Sequence, residues 1–361
     1  MSGNADDFEN VVNAANPETV AAFEERKGFI ARLQHILHVN PALVPLFVLL
    51  SSILLFGALL GSKFFSPFAL TLILQQVQIV GIVAAAQSLV ILTAGIDLSV
   101  GAIAVLSSVI MGQFTFRYGL PVEIAVLCGL AVGTAIGAVN GWLIAAMKLP
   151  PFIVTLGMWQ IVLAANFLYS KNATIRSQDI QAEAPLLQLL GSTFKVGANP
   201  DGRGGATFTI GVIVMIAIFA ILAYVMRHTA WGRHVYAVGD DPEAAQLSGV
   251  NVRRILISVY AVAGFICAIA GWALIGRIGS VSPTSGQLLN IESITAVVIG
   301  GISLFGGRGS IMGALFGALI VGVFTLGLRL SGADAQWTFL LIGALIIGAV
   351  AVDQWIRRVS S

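Results

Sequence analysis

Long apolar runs dominate the chain, separated by short polar or glycine-containing stretches. Each run is close to the roughly 20 apolar residues that an α-helix needs to cross a bilayer. Over residues 41–361, the pattern therefore predicts an all-α, polytopic membrane helix bundle with about ten transmembrane helices. The runs lie near residues 43–61, 70–94, 98–116, 122–147, 152–170, 208–226, 254–276, 288–304, 310–328 and 337–356.

The composition agrees with a lipid environment. Only 10% of the residues are charged and 57% are hydrophobic, whereas soluble domains carry about 25% charged residues. A chain with so little charge cannot cover a water-facing surface with polar groups. The 40 glycines suit a packed bundle, because small residues let membrane helices approach closely.

The positions of lysine and arginine predict the orientation in the membrane. With an even number of spans both termini lie on one side, and that side holds 11 of the 19 Lys and Arg residues. Four of the other eight fall in one long loop, residues 171–207. Because basic residues concentrate on the cytoplasmic side, we expect cytoplasmic termini, an external loop at 171–207 and a cytoplasmic loop at 227–253.

Residues 1–40 precede the first apolar run and form a predicted cytoplasmic N-terminal tail. Asn16 is a good helix N-cap, and Pro17 is a good first helical residue. Four apolar side chains between Phe23 and Leu37 would then share one helix face, as is typical of a helix lying on the membrane surface. A partly ordered tail is the alternative.

Glycine patterns are compatible with an internal duplication. Glycines recur every four residues at 129–141 in the fourth run and at 309–317 in the ninth. Residues 137–144 match residues 313–320 at five of eight positions. The fourth and ninth spans would run in opposite directions, so an inverted five-plus-five repeat, a common transporter feature, would explain the match. Helix packing through small residues also explains the glycines.

Motifs of soluble enzymes are missing from the sequence. It contains no G-x-x-x-x-G-K-[ST] loop, the phosphate-binding motif of many ATPases. Its His, Cys and carboxylate residues do not cluster at metal-ligand spacing. We therefore expect no catalytic residue, no metal site and no ATP hydrolysis by this chain alone.

Two carboxylates lie within or beside the apolar runs. Asp97 has long apolar runs on both sides, and Glu292 lies near the start of the eighth run. A charge in lipid is costly, so both residues are candidates for substrate contact. Alternatively, Gly95 can end one helix while Asp97 caps the next, and an acid such as Glu292 is favoured in a first helical turn.

Uncharged polar and aromatic side chains interrupt the spans at helical spacing. Gln76 and Gln87 lie eleven residues apart, which returns them to one helix face. Phe152, Trp159 and Asn166 recur at intervals of seven. Amides that bond hydroxyl groups and aromatic rings that cover C–H surface would suit a sugar. Alternatively, the same side chains would form interhelical hydrogen bonds and pack between helices. The candidate path residues are Gln76, Gln87, Asp97, Asn140, Phe152, Trp159, Asn166 and Glu292.

The loop 227–253 contains a predicted short helix. Asp241 is a good N-cap, Pro242 a good first helical residue and Gly249 a natural stop. These signals predict about two turns of helix, from Pro242 to Ser248, between the sixth and seventh spans.

The exposed side of this helix would present the small residues Ala244 and Ala245, with basic residues flanking both ends. A short rigid helix presented in this way suits docking into a groove on a partner protein. The alternative is a surface connector with no partner.

Four stretches together make the sequence recognisable. They are LTAGIDLSVGAIAVLSS at 92–108, KLPPFIVTLGM at 148–158, GRHVYAVGDDPEAAQLSGV at 232–250 and IESITAVVIGGISLFGGRGSIMGALFGALI at 291–320. On these stretches the chain resembles the membrane permease subunit of bacterial ABC-type monosaccharide importers, in the branch of the ribose, xylose, galactose and fructose permeases. The resemblance covers roughly residues 45–355.

The resemblance implies a coupling role for the loop helix. Importer coupling segments begin E-A-A-x-x-x-G, and residues 243–249 match that pattern. The proline-containing hydrophobic tail that follows in other importer families is absent, so the match supports docking onto an ATPase without defining an importer subtype. The implied coupling residues are Asp241, Pro242, Glu243, Ala244, Ala245 and Gly249.

The resemblance also implies the partners and the mechanism. Two permease copies, most simply a homodimer, would work with cytoplasmic ATPase subunits that hold ATP and Mg²⁺ and with a periplasmic sugar-binding protein. The chain itself would bind no cofactor and would cross the bacterial inner membrane many times. ATP-driven movement would be converted into alternating access for a monosaccharide. Overall similarity favours fructose, with ribose or mannose next.

A transporter of another class is the alternative. A proton- or sodium-coupled secondary sugar transporter would work alone and would need titratable or ion-coordinating groups at mid-membrane. Asp97 and Glu292 are the sequence candidates for such groups.

Overall fold

The computed structural model describes residues 42–197 and 205–360. These residues form thirteen α-helices, two 3-10 helices and one antiparallel pair of strands. The predicted N-terminal tail, with its surface helix, lies outside the described residues.

The helices and strands follow in chain order. The helices are α1 (Leu43–Leu60), α2 (Pro67–Leu92), α3 (Val100–Tyr118), α4 (Val122–Met147), α5 (Pro151–Ser170), α6 (Ser177–Glu183), α7 (Ile210–His228), α8 (Ala230–Asp240), α9 (Pro242–Leu247), α10 (Val252–Ile278), α11 (Leu289–Ile299), α12 (Ile311–Leu330) and α13 (Ala335–Ser360). The 3-10 helices are Gly61–Lys63 and Pro185–Gly191, and the strands are β1 (Thr193–Val196) and β2 (Ala206–Thr209).

Eight helices in the described ranges are long and apolar enough to cross a membrane, namely α1, α2, α3, α4, α5, α7, α10 and α12. They coincide with eight of the ten predicted runs, and α4 has the predicted bounds. Their outer faces expose large apolar side chains, such as Phe47 at 72% and Leu168 at 80%. Such faces are stable against lipid and costly against water. The prediction of a polytopic all-α membrane bundle is confirmed.

The eighth predicted run, 288–304, is not a spanning helix. Helix α11 has 11 residues, and its length of about 16 Å is roughly half of the hydrocarbon core. It ends at Gly300, and Gly301 follows with φ of 76°, a region that glycine adopts at little cost. The prediction of a full span was wrong here because residues 300–304, which complete the run in the sequence, are not helical. The tenth run lies in α13, where the described apolar part is Gln336–Gly348.

The packing partners of the helices repeat between two halves of the bundle. Helix α10 packs on α4 and α3, while α2 packs on α12 and α11. The pairs α3–α4 and α11–α12 are also in contact. These sets interconvert when α2, α3 and α4 are exchanged for α10, α11 and α12, which supports the five-plus-five repeat. The eight-residue sequence match does not align structurally equivalent positions of the two halves. Gly137 lies in the middle of α4, whereas Gly313 lies in the first turn of α12.

The glycine rows serve helix packing. A Cβ on Gly137 would overlap the backbone oxygen of Tyr260 on α10. A Cβ on Gly317 would overlap the backbone oxygen of Ala296 on α11. Close approach of these backbones therefore requires glycine, as is usual where membrane helices associate.

Residues 171–197 and 205–209 cover one end of the bundle, here called the 171–209 end. Strands β1 and β2 pair antiparallel, and β2 is attached to α2. The Thr207 backbone N–H donates to Thr71 Oγ1 at 2.8 Å, and the Thr209 hydroxyl donates to Gln78 Oε1. Gln78 therefore anchors this cover. The opposite end carries residues 229–251 and is called the connector end.

Candidate functional site

The chain enters the bundle from the connector end through Thr93–Ser99, here called the first inner segment. Helix α2 ends at Leu92, and Ala94 turns the chain with φ of 59°. The segment then runs back beside α2. The Gln87 amide is oriented so that it bonds to both backbone groups of Asp97. Its nitrogen donates to the Asp97 backbone oxygen at 3.1 Å, and its oxygen accepts from the Asp97 N–H at 3.2 Å. Asp97 therefore lies level with Gln87, about 7 Å inside the end of α2.

The Asp97 carboxylate holds the start of α3. It is 1% exposed. Its Oδ1 accepts from the Ser99 N–H at 2.7 Å and from the Ser99 hydroxyl at 2.6 Å. Asn140 Nδ2 on α4 donates to the same hydroxyl at 3.0 Å, and Thr155 Oγ1 on α5 donates to the Ile96 oxygen at 2.9 Å. Asp97 therefore braces the turn at Ser99, which is the N-cap residue of α3. Its carboxylate accepts no hydrogen bond from the described residues of α3 itself, so the predicted capping of α3 by Asp97 is not what the structure shows.

A second inner segment, Gly279–Leu288, enters from the 171–209 end. Val281 pairs with Ile175 there, and the Pro283 oxygen accepts from Asn166 Nδ2 at 2.8 Å. Further along, a Cβ on Gly286 would lie 3.4 Å from the Val105 side chain. These partners lie progressively deeper along α5 and α3, so the segment descends into the bundle.

The two inner segments meet at the starts of α3 and α11. A Cβ on Gly101, in the first turn of α3, would lie 3.1 Å from the Asn290 backbone nitrogen in the first turn of α11. Helices that begin inside the bundle direct their unpaired N–H groups and positive dipole ends into it. Discontinuous helices of this kind form substrate sites in many transporters.

A groove lies beside this junction, between α3, α5 and the second inner segment; we call it the α5 groove. Its enclosed volume is about 20 Å³, and the empty space amounts to about 340 Å³ when the open solvent at its mouth is included. Its polar lining comes from Trp159 and Asn166 on α5 and from Ser285, Gln287 and Asn290. No charged side chain is among its lining residues. Amide and hydroxyl groups beside an aromatic ring suit an uncharged solute that carries both hydroxyls and C–H surface.

Gln76 and Glu292 lie elsewhere. Gln76 lines a separate groove between α2, α10 and α12, together with Arg277 and Arg329. Arg277 Nη2 donates to Gln76 Oε1 at 2.7 Å. Glu292 lies within electrostatic reach of Arg277, and the N-cap of α11, Leu288, makes no side-chain capping bond.

The structure therefore divides the eight candidate path residues into separate groups. Gln87, Asp97 and Asn140 join in the polar network of the first inner segment, although Gln76 and Gln87 share a helix. Trp159 and Asn166 come together in the α5 groove. Phe152, the first member of their stripe, is 47% exposed and does not line it.

Sequence reasoning missed the contribution of the second inner segment. Ser285, Gln287 and Asn290 are brought to the groove only because this segment folds inward. Polar residues between two apolar runs predict an ordinary surface loop, and no local pattern distinguishes a loop that descends into protein.

Sequence reasoning also missed helix α8, although its signals are present. The Thr229 side chain accepts from the Gly232 N–H at 3.2 Å as an N-cap. Trp231, Val235 and Val238 then recur at the spacing of one helix face. A search for this period in the loop 227–253 would have found the helix.

Helix α8 connects the loop to the ends of the spans. Tyr236 OH donates to the Gly309 oxygen at 3.0 Å, and burial raises the pKa of Tyr236, so the hydroxyl remains a donor. A Cβ on Gly239 would overlap the Leu92 oxygen, and that oxygen also accepts from the Gly307 N–H at 3.0 Å. Helix α8 thus rests on the end of α2, where the first inner segment begins.

Helix α9 confirms the predicted short helix. Asp241 Oδ1 accepts from the N–H groups of Glu243 and Ala244 at 2.9 and 3.0 Å, and Pro242 is the first helical residue. Gly249 follows with φ of 87°, which a side chain would strain.

One detail of the predicted docking face was wrong. Ala245 is only 5% exposed, because it lies on the side of α9 that packs against the body of the protein. Glu243 and Ala244 are exposed, as expected. The missed residue is Leu247, an apolar side chain that is 90% exposed.

A multi-pass bundle with helix ends at mid-depth, a polar internal groove and an exposed helix at one end has the structure of a membrane transport protein. Residues 69–350 match the family described as branched-chain amino acid transport system, permease component. The chain belongs to this permease family.

The named relatives are sugar permeases. The chain is 68% identical to the fructose import permease protein of Rhizobium meliloti, over 98% of this chain and 97% of that protein. It is 35% identical to the ribose import permease protein of Escherichia coli strain K12, over 86% and 92% of the two chains. Its identity to the xylose transport system permease protein of the same strain is 32%, over 79% and 84%. No solved structure matches the chain.

Proposed function

We propose that the chain is the transmembrane permease subunit of an ATP-driven importer that carries a monosaccharide into the cytoplasm, with fructose first and ribose or mannose next. The observation that carries the proposal is the end-to-end likeness to a fructose import permease. The uncharged lining of the α5 groove agrees with a sugar. A free amino acid, the cargo named in the family description, would present both an ammonium and a carboxylate group.

Within this function, the geometry supports different roles for the candidate path residues. Trp159 and Asn166 are placed to touch the sugar. Gln87, Asp97 and Asn140 are placed to hold the first inner segment. Gln76 and Glu292 lie with Arg277 nearer the 171–209 end, where a solute would enter or leave.

The coupling role of α9 rests on its exposure and its connections. Glu243, Ala244, Leu247 and Gly249 are exposed at the tip of the connector end. Helix α8 joins them to the end of α2 and to the loop 300–310. Movement of a docked partner would therefore reach the first inner segment directly and drive alternating access.

The proposed machine contains further parts. Cytoplasmic ATPase subunits dock on α9 and hold ATP and Mg²⁺, so this chain is a transport component without catalysis or a cofactor of its own. A periplasmic sugar-binding protein delivers the sugar at the 171–209 end. A second permease copy completes the pathway in the bacterial inner membrane, with both termini cytoplasmic.

The coupling role is tested by Glu243→Arg. The reversed charge should abolish sugar uptake and the copurification of the ATPase subunit, because a docking surface is changed, while the amount of permease in the membrane stays constant. Glu243→Gln, of similar shape, should retain most uptake. Leu247→Ser should also weaken copurification. Normal uptake by Glu243→Arg would exclude α9 as the docking helix.

The substrate and energy source are tested by uptake of labelled fructose in cells with and without the gene. Ribose, mannose, xylose and leucine serve as competitors. Loss of uptake on deletion, with competition by sugars and not by leucine, is the expected result. Uptake that survives ATP depletion and collapses with an uncoupler would instead establish the secondary transporter.

A further inference from the structure

We propose that the α5 groove is a monosaccharide-binding subsite within the membrane domain, in which Asn166 and Gln287 bond the hydroxyl groups of the sugar and Trp159 covers its C–H face. The proposal rests on the proposed function and extends it, because it makes the permease itself a determinant of which sugar passes. Trp159 and Asn166 were assigned to sugar contact above, and Gln287 and the second inner segment are now added to them.

The first argument is the state of the Asn166 amide. The side chain is 1% exposed, and its Nδ2 is fixed by donation to the Pro283 oxygen at 2.8 Å. Its Oδ1 has no hydrogen-bond partner. A buried amide oxygen without a donor costs free energy, and this one belongs to a groove-lining residue. A sugar hydroxyl is a donor of suitable size for it.

The second argument is the shape of the groove wall. Gly101 lines the groove, and a Cβ there would approach the Asn290 backbone nitrogen to 3.1 Å. The junction of α3 and α11 therefore leaves little room for a side chain at Gly101. A ligand in the groove meets backbone on this wall, beside helix N-termini that favour oxygen ligands.

The third argument is the position of Gln287. It is exposed and follows Gly286, which has φ of 66°. Its amide offers two donors and an acceptor to the groove that it lines together with Trp159. Since no charged residue lines the groove, these groups select hydroxyl positions, which is how a hydrogen-bonding site discriminates between analogues.

The test uses the complete importer in proteoliposomes, with ATPase subunits and with the binding protein saturated by sugar. Under that condition the affinity of the binding protein no longer limits the rate. Transport of fructose and of ribose is measured separately for Gln287→Ala and Asn166→Leu. Gln160→Ala is the matched control, since Gln160 is exposed on α5 and does not line the groove.

We expect each groove variant to lower the fructose rate about tenfold, the effect of losing roughly one hydrogen bond. The ratio of fructose to ribose transport should also change. Gln160→Ala should leave both rates unchanged. A purely structural role would lower both sugars by the same factor.

The outcomes separate this proposal from the proposed function. If the unmodified importer transports neither sugar, the assignment as an importer of these sugars fails. If it transports them and both groove variants keep the unmodified fructose-to-ribose ratio, the subsite is refuted while the importer stands. Because Gln287 is exposed, Gln287→Ala gives a decisive result even if Asn166→Leu does not reach the membrane.

Discussion

The two inner segments occupy corresponding places in the two halves of the bundle, yet they are held in different ways. Thr93–Ser99 is fixed by a polar network from three helices, through Gln87, Asn140 and Thr155. Gly279–Leu288 has glycines with positive φ at Gly279 and Gly286, and it exposes Thr284, Gln287 and Leu288.

The way in which each inner segment is held corresponds to the part of the protein that lies next to it. The first inner segment begins where α8 rests on the end of α2, so under the proposed coupling it would transmit a displacement. The second lines the α5 groove, so under the proposed subsite it would meet the solute. We therefore expect the first segment to act as a rigid joint and the second as an adaptable lining.

Asp97→Ala should have the largest effect on stability. It removes the acceptor for the Ser99 N–H and hydroxyl in a fully buried site, and unpaired buried groups of this kind cost about 3 kcal/mol or more. Thermal unfolding of the purified permease in detergent measures the loss. Asp97→Asn keeps one acceptor oxygen and should recover much of it. An unfolding temperature equal to that of the unmodified protein would show that the first inner segment is not the rigid joint.

Asn140→Leu should have an intermediate effect. Its Nδ2 bond to the Ser99 hydroxyl is lost, while the Asp97 bonds remain, so a cost of roughly 1–2 kcal/mol is expected. The same unfolding measurement applies, with the double variant Asp97→Ala/Asn140→Leu as a test of coupling. Additive losses would mean that the two residues do not form one network.

Gly286→Ala should have the smallest effect. Its positive φ costs about 1 kcal/mol for a residue with a Cβ, and the nearest atom met by that Cβ is the movable end of the Leu289 side chain. Gly119→Ala is the control, because Gly119 has φ of 65° and no atom within 4 Å of its Cβ position. Gly286→Ala should slow transport beyond the control, as measured in proteoliposomes. Equal transport by the two variants would count against an adaptable second segment.

Much of the bundle could be predicted from local signals. The spans follow from apolar runs long enough to cross a bilayer, as at Val122–Met147. Helix α9 follows from Asp241, Pro242 and Gly249, each of which acts within a few residues of itself. Composition alone implied lipid contact, because the charge was too sparse for water.

The depth and partners of the loops were not local properties. Residues 288–304 are as apolar as a span, but positive φ at Gly301 and the packing of the loop 300–310 end the helix halfway. Ala245 was expected to face a partner, and its contact with the body of the protein depends on how α8 directs α9. In the same way, only the inward path of Gly279–Leu288 brings Gln287 to Asn166.

The sequence by itself determined the membrane class, the position of most spans and the short helix α9, because hydropathy and capping act over one or two turns of chain. Only the tertiary structure decided that Asp97 joins Gln87 and Asn140 in one buried network, that Trp159 and Asn166 share a groove, and that Gln76 and Gln87 lie in different places. These outcomes depend on which helices meet. Contacts between residues more than a hundred positions apart, such as Asn166 with Pro283, leave no periodic signal in the chain.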